Sequence, residues 1–176
     1  MKKLSTLLLC LPLVAMAQTE ELRKLPKVEL GFQGINLGYE LPLGKKWLVE
    51  PQIGMGGTVE ITNSSISYRM GATASQNYFS PFVGGHLRYY FNRDRRESKG
   101  HSLANNAGSY WGFQTKMVYN SNVDSVLVND FHFGQQLPLG KNFVFRYNAG
   151  VGMGFNLAYG YGAIYPIVGA SFGYAF

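Results

Sequence analysis

The residues best suited to acid–base chemistry near neutral pH are the three histidines His86, His101 and His132. Imidazole changes its charge between about pH 5 and 8, which suits it to proton transfer. No serine stands at a recognisable motif spacing from any of the three, so a serine–histidine–acid arrangement is not indicated. No two histidines have the spacing of a metal-binding pair. The sequence therefore predicts no catalytic, cofactor-binding or metal-binding residue.

A larger set of charged residues predicts a network of ion pairs. Its members carry both signs and lie opposite the apolar residues in alternating segments. The set is Glu50, Glu60, Arg69, His86, Arg88, Lys116, Asp130, His132 and Arg146. Buried charges are stable only with close partners. If these residues share an interior, we expect them to form salt bridges there.

The segments that carry these charges alternate with a period of two. In 142–157, for example, Phe143, Phe145 and their successors are apolar or aromatic, whereas the residues between them are, apart from Val144, polar or glycine. Helical spacing fits no better. A water-soluble β-sandwich also alternates, but its strands average about 5–6 residues, and several segments here exceed twelve. Long alternating strands favour a membrane β-barrel, with apolar residues outward and polar residues inward.

Composition supports one all-β domain. The chain has 176 residues, 22 glycines and a net charge of +6. So much glycine argues against a helical bundle, and the 12 tyrosines and 12 phenylalanines argue against disorder. After residue 17 no apolar run reaches about 18 residues, so no transmembrane helix is predicted.

The N-terminus has the pattern of a secretory signal peptide over residues 1–17. Two lysines precede an apolar stretch, and Ala15-Met16-Ala17 fits the cleavage pattern. A buried helix is one alternative. A lipoprotein is another, but Leu9 precedes Cys10 where lipid attachment requires a small residue. Residues 18–27 would then be a short periplasmic lead-in, and residues 28–176 the barrel.

The end of the sequence carries a resemblance. Phe172, Tyr174 and Phe176 share one face of the last strand pattern, which is similar to the assembly signal of bacterial outer-membrane proteins. With the alternation, residues 28–176 resemble a small outer-membrane β-barrel of the OmpA or OmpX transmembrane type. The resemblance implies an up-and-down antiparallel barrel of eight strands in the cell outer membrane. It also implies contact with lipid and lipopolysaccharide, and with the barrel-assembly machinery.

Eight alternating segments complete such a barrel: 28–40, 46–60, 65–73, 78–92, 109–120, 126–136, 142–157 and 163–176. With both ends periplasmic, turns 61–64, 93–108 and 137–141 face the periplasm, and turns 41–45, 74–77, 121–125 and 158–162 face outward. One repeat opposes this assignment, because Leu-Pro-Leu-Gly-Lys occurs at both 41–45 and 137–141. Either the similarity of the two turns is only turn chemistry, or segment 28–40 hides a break near Gly34. The apolar phase shifts there, which indicates a β-bulge.

The function predicted is non-enzymatic. An eight-stranded barrel is just wide enough for its own side chains, which favours a packed charged interior and a structural, adhesion or partner-binding role in the envelope. A narrow, porin-like pore or ligand conduit is the alternative, and a lipid A-modifying enzyme the lesser one. The basic segment 93–101 is interpreted as a solvated turn, and no nucleic-acid binding is expected.

Overall fold

The computed structural model describes residues 21–62, 65–72, 77–119 and 125–176. The predicted signal peptide, 1–17, lies outside the described residues. Residues 18–20 of the lead-in and parts of the predicted turns 61–64, 74–77 and 121–125 do so as well.

Strands make up almost all of the regular structure. Within the described ranges they are β1 (Leu25–Gly31), β2 (Gly34–Pro42), β3 (Trp47–Thr62), β4 (Ser65–Arg69), β5 (Phe79–Tyr90), β6 (Gly108–Val118), β7 (Val126–Leu139), β8 (Phe143–Asn156) and β9 (Gly162–Ala175). Between β5 and β6 lie a short helix, α1 (Arg93–Ser98), and a 3₁₀ turn, Ala104–Asn106. None of the helices among the described residues has the length and apolarity needed to span a membrane.

Eight of these strands close into an antiparallel barrel. Each pairs with its neighbours in the order β1, β2, β3, β5, β6, β7, β8, β9, and β9 pairs back to β1. The prediction of an all-β, up-and-down, eight-stranded barrel is confirmed. We call the rim where β1 begins and β9 ends the terminal end, and the opposite rim the distal end.

The predicted strand 28–40 is wrong, because the structure divides it into two strands. β1 and β2 form a hairpin in which Gly31 faces Gly34, so only Phe32 and Gln33 lie in the turn. Gly34 has a φ of 104°, a conformation that favours glycine. The shift in apolar phase therefore marks a tight turn and not the expected β-bulge.

The predicted strand 65–73 is not part of the barrel wall. Its first residues form β4, which pairs with the distal part of β3, from Thr58 opposite Arg69 to Thr62 opposite Ser65. Because the extra strand comes from the hairpin instead, turn 41–45 lies at the terminal end with 93–108 and 137–141. The predicted sides of 41–45 and 61–64 are thus reversed, and the two Leu-Pro-Leu-Gly-Lys turns share one end.

The barrel wall is apolar outside and largely polar inside. Ile53 and Val168 are 61% and 75% exposed on the outer surface, whereas the ends of Lys27 and Glu50 are buried. An apolar cluster occupies the interior towards the distal end, and consists of Ile61, Phe82, Val118, Val126, Val128 and Ala163. A smaller cluster of Leu22, Leu48, Tyr90 and Tyr110 lies at the terminal end. The alternation in sequence is the direct cause, since successive strand residues point to opposite faces.

Gly34→Ala should destabilise the barrel, because a Cβ there would lie 2.5 Å from Gly56 Cα while φ stays positive. We expect a lower urea midpoint and a loss of roughly 1–3 kcal/mol. Gly85→Ala is the matched control, since a Cβ at Gly85 meets nothing within 4 Å. Equal midpoints for the two variants would contradict the tight hairpin.

Candidate functional site

Six charged side chains meet inside the terminal half of the barrel. Three are carboxylates and three are cations, so the group is neutral when all are ionised. They are Lys27 and Glu29 on β1, Glu40 on β2, Glu50 on β3, Arg88 on β5 and Arg146 on β8, and each is at most 7% exposed. We call these six residues the charge network.

Glu40 and Glu50 are shared between cations. Lys27 Nζ lies 2.6 Å from Glu40 Oε1 and 3.2 Å from both Glu29 Oε1 and Glu50 Oε1. Arg88 Nη2 lies 2.7 Å from Glu40 Oε1 and 2.5 Å from Glu50 Oε2. Each cation therefore neutralises more than one carboxylate, which couples the two hairpin strands to β3 and β5.

Arg146 extends the charge network across the barrel. Its two terminal nitrogens contact Glu50 Oε2 at 3.0 Å and Glu29 Oε2 at 2.5 Å. Because Arg146 belongs to β8, these contacts connect the far wall to β1 and β3. A guanidinium suits this position, since its planar fork bonds two carboxylates at once.

Uncharged groups form further hydrogen bonds with Arg88 and Glu40 of the charge network. Arg88 donates to Gln136 Oε1 at 2.7 Å and to the Tyr90 hydroxyl at 2.9 Å. Asn106 Nδ2 donates to Glu40 Oε2 at 2.6 Å. A buried ion pair offsets its desolvation only when such additional hydrogen bonds are present. Partners from β5, β7 and the β5–β6 connection supply such bonds to part of the charge network. Glu29 Oε1, Glu50 Oε1 and Arg88 Nε have no hydrogen-bond partner among the described residues.

The β5–β6 connection closes the terminal end. Asn105 and Asn106 are buried there and have φ values of 51° and 54°, a left-handed conformation that asparagine tolerates better than most residues. Arg93 Nη1 donates to Ala107 O at 2.9 Å within the connection, and Asn105 Nδ2 donates to Lys141 O of the β7–β8 turn at 3.0 Å, which holds the connection across the opening. The interpretation of residues 93–101 as a solvated turn agrees with the exposure of most of that segment, although Arg93 is buried; residues 103–107, which follow it, are largely buried.

An exposed ion pair joins the same connection to the 43–46 turn. Lys46 Nζ donates to Asp94 Oδ2 at 2.7 Å. This hydrogen bond and the lysine's charge hold the pKa of Asp94 below its usual value. Since both side chains are well exposed, solvent screens the pair and it adds little to stability.

His86 and His132 contact each other above the charge network. Their Nε2 atoms are 3.0 Å apart, both residues are 2% exposed, and both Nδ1 atoms lack a hydrogen-bond partner among the described residues. Gly112 makes room for the pair, because a Cβ there would lie 2.5 to 2.6 Å from the two Nε2 atoms. His101 is exposed in the β5–β6 connection, apart from both.

The remaining predicted charges lie towards the distal end. Glu60 and Arg69 form a pair at 3.9 Å on the β3–β4 hairpin, with the arginine side chain 56% exposed, outside the charge network. Lys116 donates to Gln33 Oε1 at 2.6 Å. Asp130 accepts a 2.7 Å hydrogen bond from the Tyr165 hydroxyl.

Two separate cavities among the described residues bear on the site. One, of about 30 Å³, lies beside Arg146 and His86, and is polar and large enough for about one water molecule. The other, of about 340 Å³, lies in the distal half and is lined mainly by apolar side chains. The charge network fills the interior between these cavities and the terminal end.

Sequence reasoning missed half of the charge network. Lys27, Glu29 and Glu40 were not among the predicted interior charges, although they alternate with Val28, Leu30 and Tyr39. The signal was present, but a single strand over 28–40 would place Glu29 and Glu40 on opposite faces. Only the turn at 32–33 brings both to the interior.

No family model, curated protein or solved structure matches this chain. Within the described ranges, no three His, Cys, Asp or Glu side chains cluster in a way that could hold a metal ion. Neither His86 nor His132 hydrogen-bonds a serine in this part of the chain.

Arg146→Leu should lower the unfolding midpoint substantially, because it leaves Glu29 and Glu50 buried with one cation fewer. Removing one partner of a buried pair costs about 3–5 kcal/mol. Arg95→Leu is the control, since Arg95 is exposed on α1. Chemical denaturation of both variants checks this, and an unchanged midpoint for Arg146→Leu would rule out a stabilising charge network.

Proposed function

We propose that the protein is a small outer-membrane β-barrel of the OmpA or OmpX transmembrane type. The carrying observation is the inverted polarity of the wall. Leu37, Ile53 and Val151 are more than half exposed on the outside, while the charge network is buried inside. Contiguous apolar surface on this scale is rare on soluble monomers, and a hydrocarbon solvent would cover it.

Aromatic residues near the rims support a membrane location. At the terminal end, outward rings pack in pairs, with centroids 4.9 Å apart for Trp47 and Tyr89 and 5.3 Å apart for Phe143 and Tyr174. At the distal end, Tyr159 and Tyr161 stack at 5.8 Å. Membrane barrels carry such girdles at both interfaces, with an apolar band between them.

The packed interior favours a structural or partner-binding role over conduction. The charge network and residues 103–107 occupy the terminal half, where a pore would need open space. The alternative, a narrow pore or ligand conduit, is favoured only by the 340 Å³ distal cavity, and no residue of the charge network lines that cavity. In this proposal the terminal end faces the periplasm, and the outer surface contacts lipid and lipopolysaccharide.

The proposed role is non-enzymatic. A lipid A-modifying enzyme would need a histidine and a nucleophile near the outer rim. His86 and His132 instead face each other in the middle of the barrel, below the distal cavity.

The outward aromatics Phe172, Tyr174 and Phe176 are available to the barrel-assembly machinery, at 61%, 38% and 71% exposure.

Fluorescence quenching in lipid vesicles tests the membrane location. The chain has two tryptophans, Trp47 and Trp111, and both are 47% exposed on the outer wall. We expect lipids brominated on their acyl chains to quench the emission of the vesicle-bound protein, and of Trp47→Phe, which retains Trp111 alone. Quenching by aqueous acrylamide and not by brominated lipid would contradict the proposal.

A further inference from the structure

The barrel wall is incomplete on one side of its distal half. β9 pairs with β1 only as far as Ser171 opposite Gly31, with one more hydrogen bond from Phe32 N to Ala170 O. Beyond the hairpin tip, β8 is the one strand that pairs with residues 162–169 of β9 among the residues that the structure describes. On the other side of the hairpin, β3 pairs with β2 no further than Met55. We call this opening above the hairpin tip the wall gap.

β4 crosses the wall gap without sealing it. The Tyr68 hydroxyl donates to Phe32 O at 2.9 Å and accepts from Gly57 N at 3.1 Å, which ties β4 to the hairpin tip and to β3. Among the described residues no β-ladder joins β4 to β9. The edge of β9 therefore stays unpaired beside the gap.

The 340 Å³ cavity lies behind the wall gap and opens through it. Its lining includes Phe82 and Val128, which are 6% and 4% exposed, and also Phe32 and Val168, which are 64% and 75% exposed on the outer surface. A cavity lined by both kinds of residue connects the interior with the outside of the wall. Its volume is in the range of small-molecule sites, about 300–1,000 Å³.

A buried lysine marks the inner part of this cavity. Lys116 is 9% exposed, and its ammonium group donates to Gln33 and lies 5.6 Å from the centre of the Phe82 ring. An ammonium has three donors, and within the described ranges one of them has a hydrogen-bond partner, which leaves two for a ligand. Asp130, also in the lining, is turned to the Tyr165 hydroxyl. The cavity thus joins apolar walls to a cation with spare hydrogen-bonding capacity.

We infer that this cavity binds a long-chain fatty acid that enters through the wall gap. The carboxylate contacts Lys116, and the hydrocarbon chain lies between β4, β7 and β9 and extends towards the gap. Apolar walls fit the chain, and the charge of Lys116 complements the carboxylate. The inference rests on the proposed membrane location, because only there does the gap face hydrocarbon.

Lys116 and Asp130 have opposite effects on the binding of a carboxylate. A carboxylate is attracted by Lys116 and repelled by Asp130 across a poorly solvated space. Affinity for the acid should therefore fall in Lys116→Met and rise in Asp130→Asn. The corresponding methyl ester carries no charge and should bind both variants alike. This pattern separates a carboxylate site from a merely apolar cavity.

The test uses the full-length folded protein in phosphatidylcholine vesicles that contain a palmitic acid bearing a diazirine in its chain. After illumination, peptide mass spectrometry should find the label on interior residues such as Val128 and Ile167. Excess unlabelled palmitate should suppress this labelling, and methyl palmitate should suppress it less. Labelling confined to outward residues such as Ile53 and Val151 would overturn the inference.

Single substitutions measure how much Lys116 contributes to interior labelling. Half-maximal interior labelling should need about tenfold more probe in Lys116→Met than in the wild type, since a charged hydrogen bond is worth at least that factor. Lys141→Met, which removes an exposed lysine at the terminal end, should match the wild type. If Lys116→Met does not fold, Val128→Phe fills the cavity and should abolish interior labelling. Unchanged labelling in a folded cavity variant would refute the site.

Failure of the inference and failure of the proposed function give different results. A protein that does not enter vesicles shows no tryptophan quenching by brominated lipid, and the membrane proposal falls. A protein that inserts and is quenched, but is labelled only on its outer wall, keeps the membrane proposal and loses the fatty-acid site.

Discussion

The rest of the structure depends on the pairing of buried charges inside the barrel. Three carboxylates and three cations are at most 7% exposed, and each would be costly there alone. Their partners come from β1, β2, β3, β5 and β8, which are brought together only when the ring of strands closes. The charge network therefore stabilises one register of the strands, because a slip of one residue would turn these side chains outward.

Neutrality of the charge network also shapes the interior. Since the charges balance internally, the terminal half needs no solvent ions and can be filled by side chains and by the 103–107 segment. The distal half has an apolar cluster and a cavity instead. The barrel therefore has two compartments of different chemistry, and the short β1–β2 hairpin opens the distal one sideways.

Much of the fold could be predicted from the sequence because strand alternation is a local signal. The period of two placed Arg88, Arg146 and Glu50 on the inner face, where the structure has them. The predicted order of the strands around the barrel is wrong at two points: segment 28–40 forms two strands, and segment 65–73 lies outside the barrel wall. A tight turn of two residues and a β-bulge both shift the apolar phase by one, so alternation alone could not distinguish them at Gly34.

The sequence could not predict which interior side chains contact each other, because these contacts join strands that are distant in sequence. Glu29 and Arg146 are 117 residues apart in sequence and pair directly. The closure of the barrel and the stagger of its strands bring them together. The insertion of Asn105 and Asn106 into the terminal end was equally hidden. Two asparagines in a polar segment indicate a turn, but not what lies beneath it.

Single-channel conductance across a planar lipid bilayer tests the central claim that the charge network closes the interior. The folded protein is predicted to insert without a steady current. The double variant Glu40→Ala/Arg88→Ala, which removes one carboxylate and one cation, is predicted to conduct. A steady wild-type current that changes when Arg88 alone is neutralised would show that ions pass through the network, and would contradict the account.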